Sequence, residues 1–304
     1  MGNPSPLQTR RGRRMAELTI MPSPDERSGS RTAPSVSVVV PAKNEARNLR
    51  VVLPQLPDVH EVILVDGNSV DGTIEVAREV LPSIRIVRQT RKGKGNALAC
   101  GFAAATGDIL IMFDADGSAD VAEIPRFVDA LLDGADFAKG SRFAPGGGSE
   151  DITRIRRLGN SGLHMTANVA FGTRFSDLCY GYNAFWRDLV PVLDLPAIDE
   201  PCPEGGMLWG DGFEVETVIN CRFAAAKVRI SEVPSVELRR LYGTSNLRTF
   251  ADGSRVLRTI MAERKRARQL SLRQAEPKRV ARRWLSPRMD LDVAFGPQGL
   301  EETA

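Results

Sequence analysis

Four short runs of apolar and β-branched residues in the first half of the chain predict strands. Their letters are SVVV, EVILVD, IRIV and ILIMFD, and they occupy residues 37–40, 61–66, 84–87 and 109–114. Continuous apolar runs of this length are typical of strands that are buried on both faces of a parallel sheet. Each run is followed by polar residues, glycine or proline, which predicts that each strand ends there.

Helical patterns separate these runs. Residues 72–80 place apolar side chains at helical spacing, and residues 96–105 are rich in alanine. After the fourth run, apolar residues recur with the period of an amphipathic helix at Ile124, Phe127, Val128 and Leu131. The alternation predicts a doubly wound α/β domain with a mainly parallel sheet and helices on both faces. Such sheets bind ligands at the carboxyl ends of their strands.

The second half of the chain is more mixed. Helix-like patterns cover residues 155–171 and 213–226, and a short strand is predicted at 227–233. We divide the chain into a disordered lead rich in Pro, Ser, Gly and Arg, an α/β domain, and a basic extension that is partly helical or disordered. These three parts cover residues 1–34, 35–262 and 263–304.

Composition narrows the classes of function. The chain has 304 residues, 42% of them hydrophobic, which is enough for one sizeable core. Its net charge of +3 does not indicate a nucleic-acid-binding protein, and its two histidines argue against a histidine-rich metal site or a Ser-His-Asp triad. Four scattered cysteines predict thiols in a reducing compartment. Without an apolar run of about 18 residues or a signal-peptide core, we expect a cytoplasmic protein.

Two aspartates one residue apart, Asp114 and Asp116, directly follow the fourth predicted strand. Hard oxygen ligands at this spacing suit Mg²⁺ or Mn²⁺, which keep coordination positions open for phosphate oxygens. The alternative is a solvated turn without a metal. Their place at the end of a strand in an α/β pattern favours the metal site.

Three further loops precede this pair. The loop PAKNE at 41–45 follows the first strand, DGNSVDGT at 66–73 follows the second, and RKGKGN at 91–96 precedes a helix. Asp, Asn and Gly in the second loop also suit a simple tight turn. Cations and glycines before a helix favour anions, although such surface loops are common.

The four segments VPAKNE, DGNSVDGT, RKGKGNAL and FDADGS, in this order, resemble the family 2 glycosyltransferases with the GT-A fold. The resemblance covers residues 35–260 and implies inverting transfer from a nucleotide-diphosphate sugar. It implies that Pro41, Glu45, Asp66 and Lys94 bind the nucleotide sugar. It further implies that Asp114, Ala115 and Asp116 meet the diphosphate, with Asp114, Asp116 and Ser118 as the metal positions. The dolichyl-phosphate mannose enzymes often carry glutamine at the position of Ser118. Serine is a weaker metal ligand than glutamine.

The segment KGSRF at 139–143 resembles an element of the dolichyl-phosphate and polyprenyl-phosphate sugar transferases. Arg157 and Ser161 are four residues apart on a predicted helix and so share one face. By resemblance, they and Arg142 grip the phosphate of a polyprenyl-phosphate acceptor, a role that suits the planar fork of arginine. The alternative is that the arginines near 157 form a solvated basic face.

Asp211 and Glu214 follow an element, DLCYGY at 177–182, that resembles the acceptor side of the same enzymes. For a soluble hydroxyl acceptor, Asp211 is the candidate general base. For a phosphate acceptor no base is required, and Asp211 or Glu214 would hold the sugar or orient the arginines. One of Glu214 and Glu216 is expected to be solvated.

The segment YGTSNL at 242–247 resembles a part that closes over donor phosphates, and arginines lie near it. The basic extension beyond it predicts peripheral contact with an anionic membrane, and a soluble charged helix explains it equally well. Two other classes of function stay open: a sugar nucleotidyltransferase and a non-catalytic nucleotide-sugar binding module. No motif supports a nucleic-acid partner.

Overall fold

A seven-stranded sheet forms the centre of the computed structural model, which describes residues 33–150, 152–202, 206–243 and 249–271. Its strand order is β3-β2-β1-β4-β7-β5-β8. All neighbouring pairs are parallel except those that β7 makes with β4 and β5. The strands are β1 (Val36–Ala42), β2 (Glu61–Asp66), β3 (Arg85–Arg88), β4 (Ile109–Met112), β5 (Phe137–Ser141), β7 (Asn183–Trp186) and β8 (Ile230–Pro234).

A second, two-stranded parallel sheet pairs β6 (Gly148–Ser149) with β9 (Val236–Glu237). The α-helices within the described residues are α1 (Ala46–Val52), α2 (Thr73–Val80), α3 (Lys94–Ala104), α4 (Ile124–Leu132), α5 (Arg154–Phe171), α6 (Val190–Leu193), α7 (Val215–Ala225) and α8 (Thr249–Ser271). Short 3₁₀ turns cover Leu53–Gln55, Val121–Glu123 and Arg187–Leu189.

The core is divided by the sheet into two layers. On β1, Val38 and Val40 join a cluster with α1, α2 and α4, whereas Val39 joins a cluster with α3 and α7 on the other face. This alternation follows from the pleat of a strand, which points successive side chains to opposite faces. The predicted mainly parallel α/β sheet with helices on both faces is confirmed.

The four predicted strands of the first half correspond to β1 to β4, and the strand predicted at 227–233 corresponds to β8. Two central strands, β5 and β7, lie outside these predictions. The residues of β5 read FAKGS, yet all five are buried, Lys139 among them. Three of its five residues are lysine, glycine and serine, so β5 lacks the continuous apolar run by which the other strands were predicted.

Helix α8 packs against α5 and α7 and closes a third, smaller apolar cluster around Ala167, Leu178 and Ile260. It runs without interruption through residue 262, the predicted end of the α/β domain. Almost all of the predicted lead and most of the basic extension lie outside the described residues, so the division into three parts stays a prediction. Within the described ranges, no helix is both long and apolar enough to cross a bilayer.

Candidate active site

The carboxyl ends of the neighbouring parallel strands β1, β2 and β4 bring three predicted loops to one edge of the sheet. The loops after β1 and β2 are fastened together: Glu45 N–H donates to Thr73 Oγ1 (3.0 Å) and Val70 N–H to Asn44 Oδ1 (2.9 Å). The buried Asp66 carboxylate accepts the backbone N–H groups of residues 68 and 69. Asp66 therefore shapes its own turn, as the tight-turn interpretation of this loop expects.

Asp114 forms an ion pair with Lys94, whose Nζ lies 2.6 Å from Asp114 Oδ1 and 2.8 Å from Glu216 Oε1. Burial favours the neutral amine, but the two carboxylates outweigh it and raise the pKa of Lys94 above its usual value. Glu216, in the first turn of α7, is thus a member of the site and is not a solvated residue.

Asp116 is held by a second cation. Arg240 Nη2 lies 3.0 Å from Asp116 Oδ2, and Arg240 Nη1 lies 3.0 Å from Glu45 Oε1. The N–H and hydroxyl of Ser118 both donate to Asp116 Oδ1, at 3.0 and 2.6 Å. We call the six side chains Lys94, Asp114, Glu216, Asp116, Arg240 and Glu45 the DAD cluster.

The strand and loop that carry Arg240 lie over the DAD turn. Leu238 N–H donates to Ser118 O (2.9 Å) and Leu241 N–H to Asp116 O (3.1 Å). Gly117 has φ +81°, and a Cβ there would lie 2.7 Å from the Leu241 side chain, so this position requires glycine. Arg240 was not among the predicted site residues, although it lies beside the segment that resembles the part closing over donor phosphates. Nothing local in the sequence links it to Asp116 in particular.

The donor atoms at the DAD turn fit a hard divalent cation. Asp114 and Asp116 supply carboxylate oxygens, and the Ser118 hydroxyl oxygen retains a lone pair for a ligand. Among the described residues, no three His, Cys, Asp or Glu side chains come together as a ready-made metal shell. A metal held here would therefore complete its coordination with oxygens from a bound ligand or water.

The glycines of the RKGKGN loop serve a different purpose from the anion binding that the sequence suggested. The Asp211 carbonyl accepts the N–H groups of Gly95 (2.7 Å) and Asn96 (3.2 Å) at the start of α3. A Cβ on Gly93 would overlap that carbonyl oxygen, and one on Gly95 would overlap the carbonyl of residue 210. These two amides are therefore occupied, and the loop contributes its Lys94 side chain to the site.

Asp211 is 1% exposed, and both its carboxylate oxygens are paired with Arg91, at 2.7 and 2.9 Å. Oδ2 also accepts the Leu208 N–H. Glu214 accepts the N–H groups of residues 210 and 212 and shapes the same loop. A general base needs a carboxylate oxygen within reach of the acceptor, and the geometry of Asp211 is that of a buried structural residue.

Arg142 is also paired, and its side chain is only 10% exposed. Its guanidinium makes two hydrogen bonds to Asp177 (2.7 and 3.0 Å) and two to Glu237 (3.0 and 3.2 Å). Burial opposes both charges, but the pairing raises the pKa of Arg142 and lowers that of Asp177. We call Arg142, Asp177 and Glu237 the Arg142 cluster. The single positive charge of this arginine is already shared by two carboxylates.

Arg157 and Ser161 share the exposed face of α5, and Ser161 Oγ donates to Arg157 O (3.0 Å). The ring of Phe143 connects this face to Arg142, because the guanidinium carbons of Arg142 and Arg157 lie 5.6 and 5.7 Å from its centre. The three predicted acceptor residues are therefore neighbours, but they differ in exposure.

Gly181 lies between the DAD cluster and the Arg142 cluster. A Cβ at this position would lie 3.2 Å from Lys94 Nζ and 3.3 Å from both Asp114 Oδ2 and Glu216 Oε1. The DLCYGY element thus contacts the DAD cluster at its glycine, while its Asp177 pairs with Arg142. The segment therefore links the predicted donor side of the site to the predicted acceptor side.

Comparison with known proteins identifies a family and several relatives. A family model described as glycosyl transferase family 2 matches residues 37–193. Undecaprenyl-phosphate mannosyltransferase from Micrococcus luteus is 31% identical over 222 residues, covering 70% of this chain and 87% of that protein. Dolichol-phosphate mannosyltransferase from Pyrococcus furiosus is 31% identical over 173 residues, or 54% of this chain and 49% of that protein. The chain therefore spans about half the length of the second relative.

Among solved structures, glucosyl-3-phosphoglycerate synthase from Mycobacterium tuberculosis in complex with phosphoglyceric acid is similar, with a TM-score of 0.58 and 23% identity. The match covers 76% of this chain and 80% of that one. A complex of the same enzyme with Mn²⁺, uridine-diphosphate-glucose and phosphoglyceric acid has a TM-score of 0.57. This likeness confirms the predicted GT-A fold. With its motifs at one edge of that fold and a family model over half its length, the chain belongs to glycosyl transferase family 2.

Proposed function

We propose that this enzyme moves a sugar, with inversion, from a nucleotide-diphosphate sugar to a polyprenyl phosphate on the DAD cluster and the adjacent face of α5. The observation that carries the proposal is the pairing of Asp114 and Asp116 with Lys94 and Arg240 at the carboxyl ends of the strands. It is supported by relatives named for transfer to undecaprenyl phosphate and dolichol phosphate.

On the donor side, Asp114 and Asp116 would hold Mg²⁺ or Mn²⁺, with Ser118 beside them. The metal would offset the negative charge on the diphosphate as the sugar bond breaks. Mn²⁺ occurs with uridine-diphosphate-glucose, and Mg²⁺ with uridine diphosphate, in complexes of the M. tuberculosis neighbour. The loops that carry Pro41, Glu45 and Asp66 would form the nucleotide pocket.

Lys94 and Arg240 have a specific part in this proposal. If a metal were held by Asp114 and Asp116, Lys94 and Arg240 would each lose one of their two carboxylate partners and could contact the phosphate oxygens of the donor. Lys94 would keep Glu216 and Arg240 would keep Glu45, so both would remain anchored near the diphosphate. The DAD cluster thus supplies positive charge where the leaving group develops negative charge.

On the acceptor side, an oxygen of the lipid phosphate forms a bond to the anomeric carbon as the bond to the diphosphate oxygen breaks, and the nucleoside diphosphate leaves. The nucleophile is already an anion, so no general base is needed. We assign the phosphate contact to Arg157 and Ser161, which are exposed, and a positioning role to Arg142. Asp211 then fixes the loop between Arg91 and α3.

One observation favours a second acceptor class, a soluble compound that accepts the sugar on a hydroxyl group. The charge of Arg142 is balanced by Asp177 and Glu237, which lowers the positive potential next to Arg157. The similar M. tuberculosis enzyme was solved with phosphoglyceric acid. The version of this alternative that uses Asp211 as base has less support, because that carboxylate is buried and paired.

Peripheral membrane contact belongs to the same proposal. Leu257 and Met261 of α8 are 43% and 59% exposed, and Lys265 on the next turn is also exposed. Arg266, in contrast, is paired with Asp194. Flotation with liposomes that contain or lack anionic lipid tests the contact. Equal and negligible binding to both kinds of liposome would count against it.

Product formation tests the proposed function. The full chain would be incubated with Mn²⁺, UDP- or GDP-linked hexoses, and either a polyprenyl phosphate in detergent or a panel of soluble acceptors. We expect a glycosyl lipid phosphate and free nucleoside diphosphate only with metal. Product only with soluble acceptors would transfer the assignment to the second class, and absence of product from every donor would contradict both.

A further inference from the structure

Helix α8 is fixed to the body of the protein by a buried ion pair. Glu263 is 2% exposed, and its carboxylate accepts two hydrogen bonds from Arg222 of α7, both at 2.9 Å. The same guanidinium donates to the carbonyls of residues 193 and 194. The position of Glu263 is therefore defined on several sides.

The same carboxylate also holds the loop before α7. Trp209 Nε1–H donates to Glu263 Oε1 at 2.8 Å, while the indole is 48% exposed. An exposed indole gains little from burial, so its hydrogen bond is what orients it. This bond fastens residues 206–214 to α8.

The inner side of that loop meets the DAD cluster. Two residues after Trp209, the Asp211 carbonyl accepts the first amides of α3, and its carboxylate binds Arg91. The glycines on either side of Lys94 allow this contact at van der Waals distance. The backbone that carries Lys94 is therefore positioned by the loop, and Lys94 in turn meets Asp114.

We infer that Trp209 and Glu263 are positioning residues for the donor site, which act through the loop at 206–214 on Lys94. The order of contacts is Glu263, Trp209, Asp211, the start of α3, Lys94 and Asp114. When the indole bond is lost, the loop can move away from α3, and Lys94 is no longer held beside Asp114. The inference rests on the proposed donor site for its functional consequence, but the chain of contacts itself does not.

Substitution Trp209→Phe keeps a six-membered aromatic ring and removes the N–H group together with the five-membered ring that carries it, at a site that is 48% exposed. Trp186→Phe is the control for a general loss of stability, because Trp186 is 2% exposed and its Nε1–H donates to the carbonyl of Ala135 in a different part of the sheet. Amide hydrogen exchange of both full-length variants measures the geometry directly. We expect faster exchange at Gly95 and Asn96 in Trp209→Phe and unchanged exchange there in Trp186→Phe.

Calorimetric titration with Mn²⁺ and either UDP or GDP measures the functional consequence. We expect Trp209→Phe to weaken nucleotide binding about five- to tenfold, part of the effect of losing a hydrogen bond to a charged group. Glu263→Gln should give a loss in the same direction. The KM for the acceptor should stay at the wild-type value. A loss of folded protein would instead lower the number of binding sites in the titration and leave the affinity for the nucleotide unchanged.

The two measurements separate the possible failures. Unchanged exchange at Gly95 and Asn96 in Trp209→Phe, or equal changes in both tryptophan variants, would overturn the inference. Faster exchange without any nucleotide binding by the wild-type protein would retain the structural link and contradict the proposed function. Faster exchange with unaltered nucleotide affinity would overturn the role in donor binding.

Discussion

The DAD cluster and the Arg142 cluster both combine arginine or lysine with carboxylates, but they differ in what their cations can do. In the DAD cluster, Lys94 and Arg240 each bridge two carboxylates, and the Arg240 and Asp114 side chains are about a third exposed. In the Arg142 cluster, the arginine and Asp177 are 10% and 0% exposed. A pair with one partly exposed member can exchange partners with an incoming ion more readily than a pair in which both members are buried.

This difference shows that a resemblance in sequence can identify a residue of the site without identifying what that residue contacts. Arg142, Arg157 and Ser161 were predicted as one phosphate grip. Their structural environments divide that grip into a buried arginine that supports Phe143 and an exposed arginine that a ligand can reach. The following variants test this difference, beginning with the largest effect.

Arg142→Met should have the largest effect on stability. It leaves the buried Asp177 and the partly exposed Glu237 without their counter-ion, and we expect the free energy of unfolding to fall by about 3–5 kcal/mol. Arg157→Met removes an exposed arginine and should change that free energy by less than about 0.5 kcal/mol. Urea denaturation of both variants measures the difference. Similar losses in the two would show that the arginines are not distinguished by burial.

Asp116→Asn should have the largest effect on catalysis. It removes the charge that opposes Arg240 and would hold the metal, so we expect kcat to fall about 10²- to 10³-fold, the usual cost of losing electrostatic stabilisation of a transition state. Asp120→Asn is the control, since the Asp120 carboxylate accepts the Ala122 N–H and caps the next turn. Initial rates over a range of Mn²⁺ concentrations measure both. Normal turnover by Asp116→Asn would remove the metal from the proposal.

Arg157→Ala should act on the acceptor alone. Loss of one hydrogen bond to a charged group should raise the KM for lipid phosphate about 10- to 100-fold. The KM for the donor should not change, because Arg157 lies on α5 and outside the DAD cluster. Arg78→Ala, at an exposed arginine of α2, serves as control. An unchanged acceptor KM would return the phosphate contact to Arg142 or to another residue.

Gly181→Ala should have the smallest effect, and it tests the contact between the two regions. The added methyl would press on Lys94, Asp114 and Glu216 at 3.2–3.3 Å, so each neighbour must give way by a few tenths of an ångström. We expect kcat/KM to fall about threefold to tenfold, since small displacements at a charged site are costly. In Gly159→Ala, the added methyl meets open space on a helix, and activity should be unchanged. Equal activity in both variants would show that the contact of Gly181 with the DAD cluster does not affect catalysis.

The sequence predicted the donor edge of the sheet better than the rest. Strands β1 to β4 are continuous apolar runs, and the loops after β1, β2 and β4 carry Glu45, Asp66, Asp114 and Asp116. Parallel topology alone is enough to bring such loops together. The apolar runs of the strands and the parallel topology of the sheet were therefore enough to predict the donor side of the site.

The remaining contacts join residues that lie far apart in the chain. Arg240 reaches Asp116, Arg91 reaches Asp211 and Arg142 reaches Asp177 and Glu237. No periodicity or short motif specifies which arginine meets which carboxylate, because that depends on the relative placement of β5, β7 and β8. Two of those strands were not predicted, so the pairings could not be derived.

The antiparallel strand β7 has a consequence for how the chain folds. Strands β1, β2, β3 and β4 pair only with one another until β7 adds to β4, so they can assemble as soon as they leave the ribosome. Strand β5 pairs with β7 and β8 only, and both are synthesised later. We therefore expect folding in two steps, in which the donor half forms first and β5 waits, with unpaired edges, for the arrival of β7.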